Sequence, residues 1–391
     1  MTKTVPRHIL PIIVFAQFTG TSLWFAGNAI LPQIQQTWNL PKDSIAQITS
    51  SVILGFILGT LLFALTSLAD RFHASKVFFV SAILGAILNS SVLLTGESFT
   101  GLLIFRFLTG ICIAGIYPVG MKIASDWFEG KLGKALGYLV GALVIGTAFP
   151  HLLNHFGAGY DWRPVLLGTS GIAIVGGALM FFFVGDGPSR VKSTSFSPQE
   201  AFRVFRKKEF RWAAFGYFGH MWELYTFWAF VPVILGHYAN KHGISLPTSL
   251  WTFVIMSIGM VGCISGGIFS IRKGSSKVAF GFLLTSGILC LLSPLFFDLP
   301  PAIFLILMGL WGFAVIGDSA QFSSLNAQKA PVELKGTALT IAVSIGFLLT
   351  IPSIQLLQFL TNYLSTEWLL FTLTIGPVFG LISTRKLISN P

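Results

Sequence analysis

The chain alternates between long apolar runs and short polar gaps. A helix that crosses the hydrocarbon core of a bilayer needs about 20 mostly apolar residues. Because lipid offers no water to exposed backbone groups, helices are the expected form of such runs. The pattern predicts an all-α membrane protein with twelve transmembrane helices, which we number 1 to 12. Their predicted bounds are 9–34, 45–68, 77–95, 100–123, 135–157, 164–184, 211–236, 248–271, 278–297, 301–325, 336–362 and 367–384.

The longest polar gap lies near the middle of the chain, at 185–210, and is rich in basic residues. It divides the sequence into two predicted six-helix bundles, 1–184 and 211–391. Two interpretations of the gap stay open at this point. It is either a solvated cytoplasmic linker or a linker that includes a short amphipathic helix on the inner membrane surface.

The two halves carry matching residues at a nearly constant offset. Gly146 and Pro150 of helix 5 correspond to Gly346 and Pro352 of helix 11, at offsets of 200 and 202 residues. An offset close to half the chain length indicates an internal repeat. Parallel repeats about an axis along the membrane normal are the layout of major facilitator transporters. We expect these glycines and prolines to make helices 5 and 11 deformable.

Composition and charge support a lipid-solvated chain. Charged residues make up 10% of its 391 residues, whereas a soluble domain carries about 25%. With both termini in the cytoplasm, 21 of the 25 Lys and Arg residues lie on the inner side and three on the outer side, as the positive-inside rule requires. The net charge of +11 therefore reflects topology in the inner (plasma) membrane. The basic residues form no patch, so no nucleic-acid partner is expected.

Cysteine usage and motif content argue against an enzyme. The three cysteines all lie inside apolar runs, with neither a disulfide framework nor a metal-ligand spacing. The sequence also has no nucleophile motif and no Gly-rich phosphate loop. We therefore expect no catalytic activity, no metal and no cofactor other than protons. The first apolar run is too long for a signal-peptide core, so helix 1 is expected to be retained.

Polar motifs in the first half resemble those of the major facilitator superfamily. Asp70 and Arg71, after helix 2, are similar to the Asp-Arg pair of its Gly-x-x-x-Asp-Arg-x-Gly-Arg-Arg motif. Thr66 and His73 stand where that motif has its two glycines. The resemblance implies a loop that contacts neighbouring helices and stabilises the outward-open state. Replacing Asp70 should then change the balance between conformations with little effect on the binding site.

Further matches follow in helix 4 and in the gap after it. Arg106 and Gly110 resemble the superfamily's second motif, and Asp126 lies in a stretch of a form common in the superfamily. The resemblance implies a fold of two pseudo-symmetric six-helix bundles that works by alternating access. It also implies that helices 1, 4, 7 and 10 line a central cavity.

Helix 5 departs from the pattern of drug-exporting members. Gly146 followed by Pro150 is similar to their antiporter motif, which ends in Gly-Pro and a further pair of glycines. Here Phe149 precedes the proline and His151 follows it. This departure argues against an exporter.

Only three of the 39 Asp, Glu, Lys and Arg residues lie inside predicted helices at membrane depth: Arg106, Glu223 and Asp318. A charge at that depth costs at least about 2.5–3.5 kcal/mol on insertion scales, so such a residue is a functional-site hypothesis. They lie on helices 4, 7 and 10, which the resemblance places around the cavity. None has a charged counterpart in the other half, which suggests function more than scaffold.

Glu223 is the main candidate for proton coupling. It lies near the predicted midplane, and His220 is three positions earlier on the same helical face. A His–Glu pair can exchange a proton near neutral pH. Substrate contact and a fixed hydrogen-bonded brace remain as alternatives for Glu223.

Arg106 and Asp318 each have more than one interpretation. The Arg106 guanidinium suits a bidentate contact with an anionic group, and the resemblance implies a tuner of a carboxylate; simple bracing is the third possibility. Asp318, toward the cytoplasmic end of helix 10, is either a site residue or a gate.

A polar stripe on helix 1 is the remaining candidate for substrate binding. Its members recur at i, i+4, i+7 and i+11, which is one face of a helix, although hydrogen bonding between helices would also explain them. Aromatic residues of helix 7 and a glutamine of helix 10 complete the set. The candidates are Gln17, Thr21, Trp24, Asn28, Tyr225, Trp228 and Gln321.

The sequence thus predicts a monomeric secondary transporter of a small organic solute, acting as a proton-coupled symporter. A proton-coupled exporter of drugs or metabolites and an uncoupled facilitator are the alternatives.

Overall fold

The structure, a computed structural model, describes residues 5–41, 43–128, 132–157, 161–188 and 197–389, without the side chains of 132–134 and 389. Within these ranges all regular structure is helical, which confirms the predicted fold class. Eleven helical segments of the described residues are long and apolar enough to cross a membrane. The remaining predicted helix, helix 7, forms a single helix of 35 residues, so the predicted count of twelve is consistent with the structure.

The chain divides into two compact units, the first comprising 1–44 and 51–195 and the second 45–50 and 196–391. The boundary at 195/196 lies within the predicted linker. Residues 189–196 of that linker are outside the described residues. The described part that follows forms two short 3-10 turns, Pro198–Glu200 and Arg203–Arg206, and not a continuous amphipathic helix.

In the first unit, helices 1 and 4 are each broken into two parts, whereas helices 2, 3, 5 and 6 are continuous. The bounds are helix 1a Ile9–Thr21, helix 1b Ala26–Thr37, helix 2 Ser44–Thr66, a single turn Leu68–Arg71, helix 3 Ala74–Ser90, helix 4a Phe99–Ala114, helix 4b Tyr117–Trp127, helix 5 Leu132–Phe156 and helix 6 Arg163–Leu179.

In the second unit helix 10 is broken at Asp318, and a 3-10 segment, Leu370–Thr374, separates a short helix from the main part of helix 12. The bounds are helix 7 Lys208–His242, helix 8 Thr248–Lys273, helix 9 Ser275–Leu292, helix 10a Pro301–Gly317, helix 10b Ser319–Lys329, helix 11 Lys335–Leu360, a short helix Thr366–Leu369 and helix 12 Ile375–Ser389.

Local chemistry accounts for the breaks in helices 1 and 4. At the end of helix 1a, the hydroxyls of Thr21 and Ser22 donate to the carbonyls of Gln17 (2.8 Å) and Thr19 (2.6 Å), which offers the backbone an alternative to helical pairing. In helix 4, Pro118 is the second residue of helix 4b. A proline ring clashes with the carbonyl four residues earlier, and that residue is Ala114, the last of helix 4a.

The matching glycines of helices 5 and 11 lie at close contacts between helices. A Cβ atom on Gly146 would lie 2.3 Å from the Phe18 carbonyl oxygen of helix 1a. A Cβ atom on Gly346 would lie 2.4 Å from the Tyr217 ring of helix 7. Each unit therefore uses the repeated glycine to pack its fifth helix against its first. Helices 5 and 11 both run unbroken through their prolines, and their deformability stays a prediction.

Candidate functional site

Glu223 lies in the middle of helix 7 with its carboxylate fully enclosed by the second unit. Its Oε1 atom accepts hydrogen bonds from Trp311 Nε1 of helix 10a at 2.7 Å and from Cys290 Sγ of helix 9 at 3.3 Å. Its Oε2 atom lies 3.0 Å from Ser286 Oγ, also of helix 9. One carboxylate therefore connects helix 7 to helices 9 and 10 through three neutral side chains.

His220 pairs with Asp318, and the predicted pairing of His220 with Glu223 is wrong. His220 Nδ1 lies 2.8 Å from Asp318 Oδ1, and the two side chains are 1% and 0% exposed. Asp318 is the single residue between helices 10a and 10b, so the break brings its carboxylate against helix 7. Two residues three apart on a helix share a face, but here the ring of His220 and the carboxylate of Glu223 bind different neighbours.

The His220–Asp318 pair keeps unused hydrogen-bonding capacity. Among the described residues, neither His220 Nε2 nor Asp318 Oδ2 has a hydrogen-bond partner, although both atoms are buried. Buried polar atoms are almost always satisfied by protein groups, water or a ligand. The pair can therefore accept a proton, a water molecule or a polar group of a substrate without losing its existing contact.

Arg106 is fully buried in the first unit and contacts uncharged oxygens. Its Nη1 atom donates to Asn89 Oδ1 at 2.8 Å, and its Nη2 atom donates to the backbone carbonyls of Leu23 (2.8 Å) and Trp24 (2.5 Å). Both carbonyls belong to the break in helix 1. Asn89 in turn donates to the Leu166 carbonyl of helix 6 at 3.2 Å. This geometry favours bracing over the anion contact and the carboxylate tuning that were also expected.

The polar stripe on helix 1 does not form one helical face, because the helix breaks within it. Gln17 and Thr21 belong to helix 1a, Trp24 to the break and Asn28 to helix 1b. All four are buried. Thr21 bonds back to its own helix, whereas the side-chain amide of Gln17 has no hydrogen-bond partner among the described residues. Gln17 therefore has hydrogen-bonding capacity to offer a solute.

The aromatic candidates of helix 7 are buried in one cluster with helix 11. The ring centroid of Tyr225 lies 5.5 Å from that of Trp228 and 5.1 Å from that of Phe347. Gln321 is buried in the first turn of helix 10b. Their roles in substrate binding stay predictions.

Sequence reasoning missed the neutral partners of the buried charges. Asn89, Ser286, Cys290 and Trp311 are each a polar or weakly polar side chain inside an apolar run. That signal was available, but many such side chains bond only within their own helix, as Thr350 does. Within the described residues no group of three or more His, Cys, Asp or Glu side chains is placed to hold a metal ion.

One residue of the conformational motif, Asp70, forms an ion pair near the ends of two helices in the first unit. Asp70 Oδ1 lies 2.9 Å from Lys122 Nζ of helix 4b. Arg71 is exposed and ends the single turn after helix 2, and Asp126 is buried near the end of helix 4b. The Asp70 contact agrees with a loop that holds neighbouring helices.

A second ion pair joins the same region to the end of helix 6. Asp186 Oδ2 lies 2.7 Å from His73 Nδ1, and Asp186 Oδ1 accepts from the backbone N–H and the hydroxyl of Ser75, each at 3.2 Å. Burial by itself raises the pKa of Asp186, but the hydrogen bonds from Ser75 and His73 outweigh it and hold the pKa below its usual value. His73 thus has a partner at the position where the resembled motif has glycine.

Two six-helix units that contain broken helices and a few buried charges are the architecture of a membrane-embedded secondary transporter. A family model of the Major Facilitator Superfamily matches residues 13–354, and the chain belongs to this superfamily.

Named relatives and a solved structure agree with this assignment. The chain is 25% identical over 343 residues to a putative metabolite transport protein of Haemophilus influenzae, covering 81% of this chain and 80% of that protein. It is 23% identical over 372 residues to the 4-hydroxybenzoate transporter PcaK of Acinetobacter baylyi, covering 86% and 80%. The crystal structure of a variant of the nucleoside transporter NupG superposes with a TM-score of 0.71 at 13% identity, covering 97% of this chain and 99% of that one. At this identity the last comparison supports the fold alone.

Proposed function

We propose that this protein is a proton-coupled symporter that takes up a small organic solute by alternating access in the inner (plasma) membrane, with both termini in the cytoplasm. The observation that carries the proposal is the set of buried titratable groups in the second unit: Glu223 in its ring of neutral donors, and the His220–Asp318 pair with unused hydrogen-bonding atoms.

Charge balance favours Glu223 as the proton carrier. When His220 is protonated and Asp318 is ionised, their pair is neutral overall, and Glu223 then carries the net charge of this group of residues. Because an uncompensated charge is costly at membrane depth, a proton on Glu223 lowers the cost of a conformational change that moves helix 7. His220 and Asp318 are then available to sense the solute or to gate the site.

A flat organic acid is the solute class that fits best. The relative PcaK is named for 4-hydroxybenzoate, which is an aromatic carboxylate, and one carboxylate with one proton crosses a membrane as a neutral pair. The aromatic cluster around Tyr225 and Trp228 offers faces on which a planar ring can stack. The buried Nε2 atom of His220, in the same unit as this cluster, has no hydrogen-bond partner among the described residues and is available to hold the carboxylate.

Export and uncoupled passage are less well supported. The exporter motif of helix 5 is interrupted by Phe149 and His151. An uncoupled facilitator has no need of three titratable side chains buried in one unit, because each adds an insertion cost.

The test uses the purified full-length protein reconstituted into liposomes. A thermal-shift screen of small carboxylates at two pH values selects a solute, and its uptake is then measured with an imposed inward proton gradient. We expect the wild type to accumulate the solute until a protonophore is added. Glu223→Gln should bind the solute and exchange it across the membrane but should not accumulate it.

Three outcomes would contradict the proposal. Uptake that a protonophore leaves unchanged would favour a facilitator if the solute only equilibrates, and another coupling ion if the solute accumulates. Proton-driven movement of the solute in the opposite direction would favour an exporter. Full accumulation by the Glu223→Gln variant would remove Glu223 from the coupling mechanism.

A further inference from the structure

The hydroxyl of Ser286 has two acceptors but only one hydrogen. Ser286 Oγ lies 3.0 Å from Glu223 Oε2 and 3.2 Å from the carbonyl oxygen of Leu283, three residues earlier in helix 9. A serine hydroxyl donates one hydrogen bond and accepts up to two. The two contacts therefore cannot both be full hydrogen bonds donated by Ser286 at the same time.

Each protonation state of Glu223 assigns that hydrogen to a different acceptor. When Glu223 is ionised, Ser286 donates to Oε2. When Glu223 is protonated on Oε2, its new O–H group donates to Ser286 Oγ, and the hydrogen of Ser286 turns toward the Leu283 carbonyl. The carboxyl and the hydroxyl are satisfied in both states, and the only covalent change is the O–H bond made to the incoming proton.

The other carboxylate oxygen is unsuited to the proton. Oε1 faces Trp311 Nε1 and Cys290 Sγ. An indole N–H is a donor only and a thiol is a weak acceptor. A proton on Oε1 would point at donors and lack a good acceptor, and a buried unsatisfied donor costs about 1–3 kcal/mol.

We propose that Ser286 is a positioning residue for the coupling proton: it fixes the proton on Oε2 of Glu223 and changes its own hydrogen-bond acceptor when the proton arrives or leaves. This inference rests on the proposed role of Glu223 as proton carrier. It gives helix 9 a part in coupling.

The surroundings of Glu223 leave few other groups to complicate its titration. Among the described residues, Asp318 of helix 10 interacts with it electrostatically, Cys290 of helix 9 contacts it and His220 is on its own helix. Cys263 is the buried thiol of helix 8, near Asp318. The charged side chains of helices 8, 11 and 12 lie at helix ends: Arg272, Lys273, Lys335, Arg385 and Lys386.

The experiment is infrared difference spectroscopy of the reconstituted full-length protein between two pH values, in the absence of solute. A protonated carboxyl gives a C=O band and an O–H band, which becomes an O–D band in heavy water. A hydrogen bond donated to the C=O oxygen lowers the frequency of the first band. A hydrogen bond donated by the O–H lowers the frequency of the second.

The variants separate the two oxygens. Glu223→Gln identifies the bands of Glu223 by removing them. We expect Ser286→Ala to raise the O–D frequency, because the acceptor is lost, and Ser286→Thr to restore it. Trp311→Phe, which removes a donor to Oε1, should raise the C=O frequency and leave the O–D band in place. A merely structural role of Ser286 would not produce a shift of the O–D band that threonine reverses.

The outcomes distinguish this inference from the proposed function. If no band depends on Glu223 at any accessible pH, Glu223 is not a proton carrier and both proposals fall. If the bands are present but Ser286→Ala raises the C=O frequency and leaves the O–D band unchanged, the proton is on Oε1, and the inference fails while the proposed function stands.

Discussion

Replacing Arg106 by lysine tests whether this buried cation braces the first unit or binds an anion. The guanidinium reaches two separate places: Nη1 contacts Asn89 of helix 3, and Nη2 contacts the carbonyls of Leu23 and Trp24 at the break in helix 1. Lysine keeps the positive charge but carries all its donors on one nitrogen. Lysine can therefore donate either to Asn89 or to the carbonyls of helix 1, and the other acceptor is left without a donor.

The size of the effect follows from the contact that is lost. A hydrogen bond to a charged group is worth about 1.5–3 kcal/mol. For a domain of this size, each kcal/mol changes the unfolding midpoint by about 2–4 °C. We therefore expect Arg106→Lys to lower the midpoint by about 3–12 °C while binding of an organic anion stays close to wild type.

The assay is thermal unfolding in detergent together with solute binding well below the midpoint. Arg163→Lys is the matched control, because Arg163 is exposed and lies 3.6 Å from Asp161 at the surface, where an ion pair contributes little. The reasoning is refuted if Arg106→Lys unfolds like the wild type and loses anion binding, since Arg106 would then contact the solute.

Three further substitutions test other parts of the structure. Hydrogen bonds hold the pKa of Asp186 below its usual value. The ionised side chain therefore stabilises the fold at pH values above the usual pKa, and this stabilisation is lost as the pH falls through the lowered pKa. Asp186→Asn should lower the unfolding midpoint at neutral pH, and the difference from wild type should disappear in strong acid. Asp70→Asn breaks the 2.9 Å pair with Lys122 and should change the accessibility of cysteines introduced at the two membrane faces. Adding Lys122→Gln to this variant should have no further effect. Additive effects of the two substitutions would mean that the pair does not act as a unit. Gly146→Ala should destabilise helix packing, because its Cβ would lie 2.3 Å from a backbone oxygen, whereas Gly137→Ala in the same helix meets nothing within 4 Å; equal unfolding midpoints for the two variants would contradict the packing argument.

The length and repetition of the apolar runs were enough to predict an all-helical fold. A helix surrounded by lipid must be apolar, so the hydropathy pattern located helix 7 at 211–236. The observed helix is longer at both ends and extends from Lys208 to His242. The matching of Gly146 with Gly346 also had a structural basis, since both lie at the contact between the first and fifth helix of their unit.

The breaks and the pairing of the buried charges could not be predicted in the same way. A broken helix stays apolar on both sides of the break, so hydropathy does not reveal that Trp24 lies between two helices. Pro118 offered a local signal for helix 4, and the adjacent hydroxyl residues Thr21 and Ser22 offered a weaker one for helix 1. The pairing of His220 with Asp318 joins helices that are far apart in sequence, and periodicity along one helix says nothing about which neighbour a side chain meets.

Because Arg106 binds uncharged oxygens, its positive charge is not neutralised by a carboxylate, and this affects how the transporter would respond to the membrane potential. Arg106 is the only Lys or Arg that the sequence places at membrane depth, and it lies in the first unit. By contrast, the two carboxylates buried in the second unit, Glu223 and Asp318, contact neutral donors and His220 rather than a Lys or Arg. If Glu223 carries the coupling proton, its carboxylate is charged when the carrier returns without a proton, and each unit charge that crosses the full membrane field is worth about 2.3 kcal/mol per 100 mV. The loaded carrier holds a neutral Glu223 together with the anionic solute, so it bears the same charge as the empty carrier. The membrane potential would therefore affect the two steps equally and in opposite directions, and uptake would be driven by the pH gradient alone.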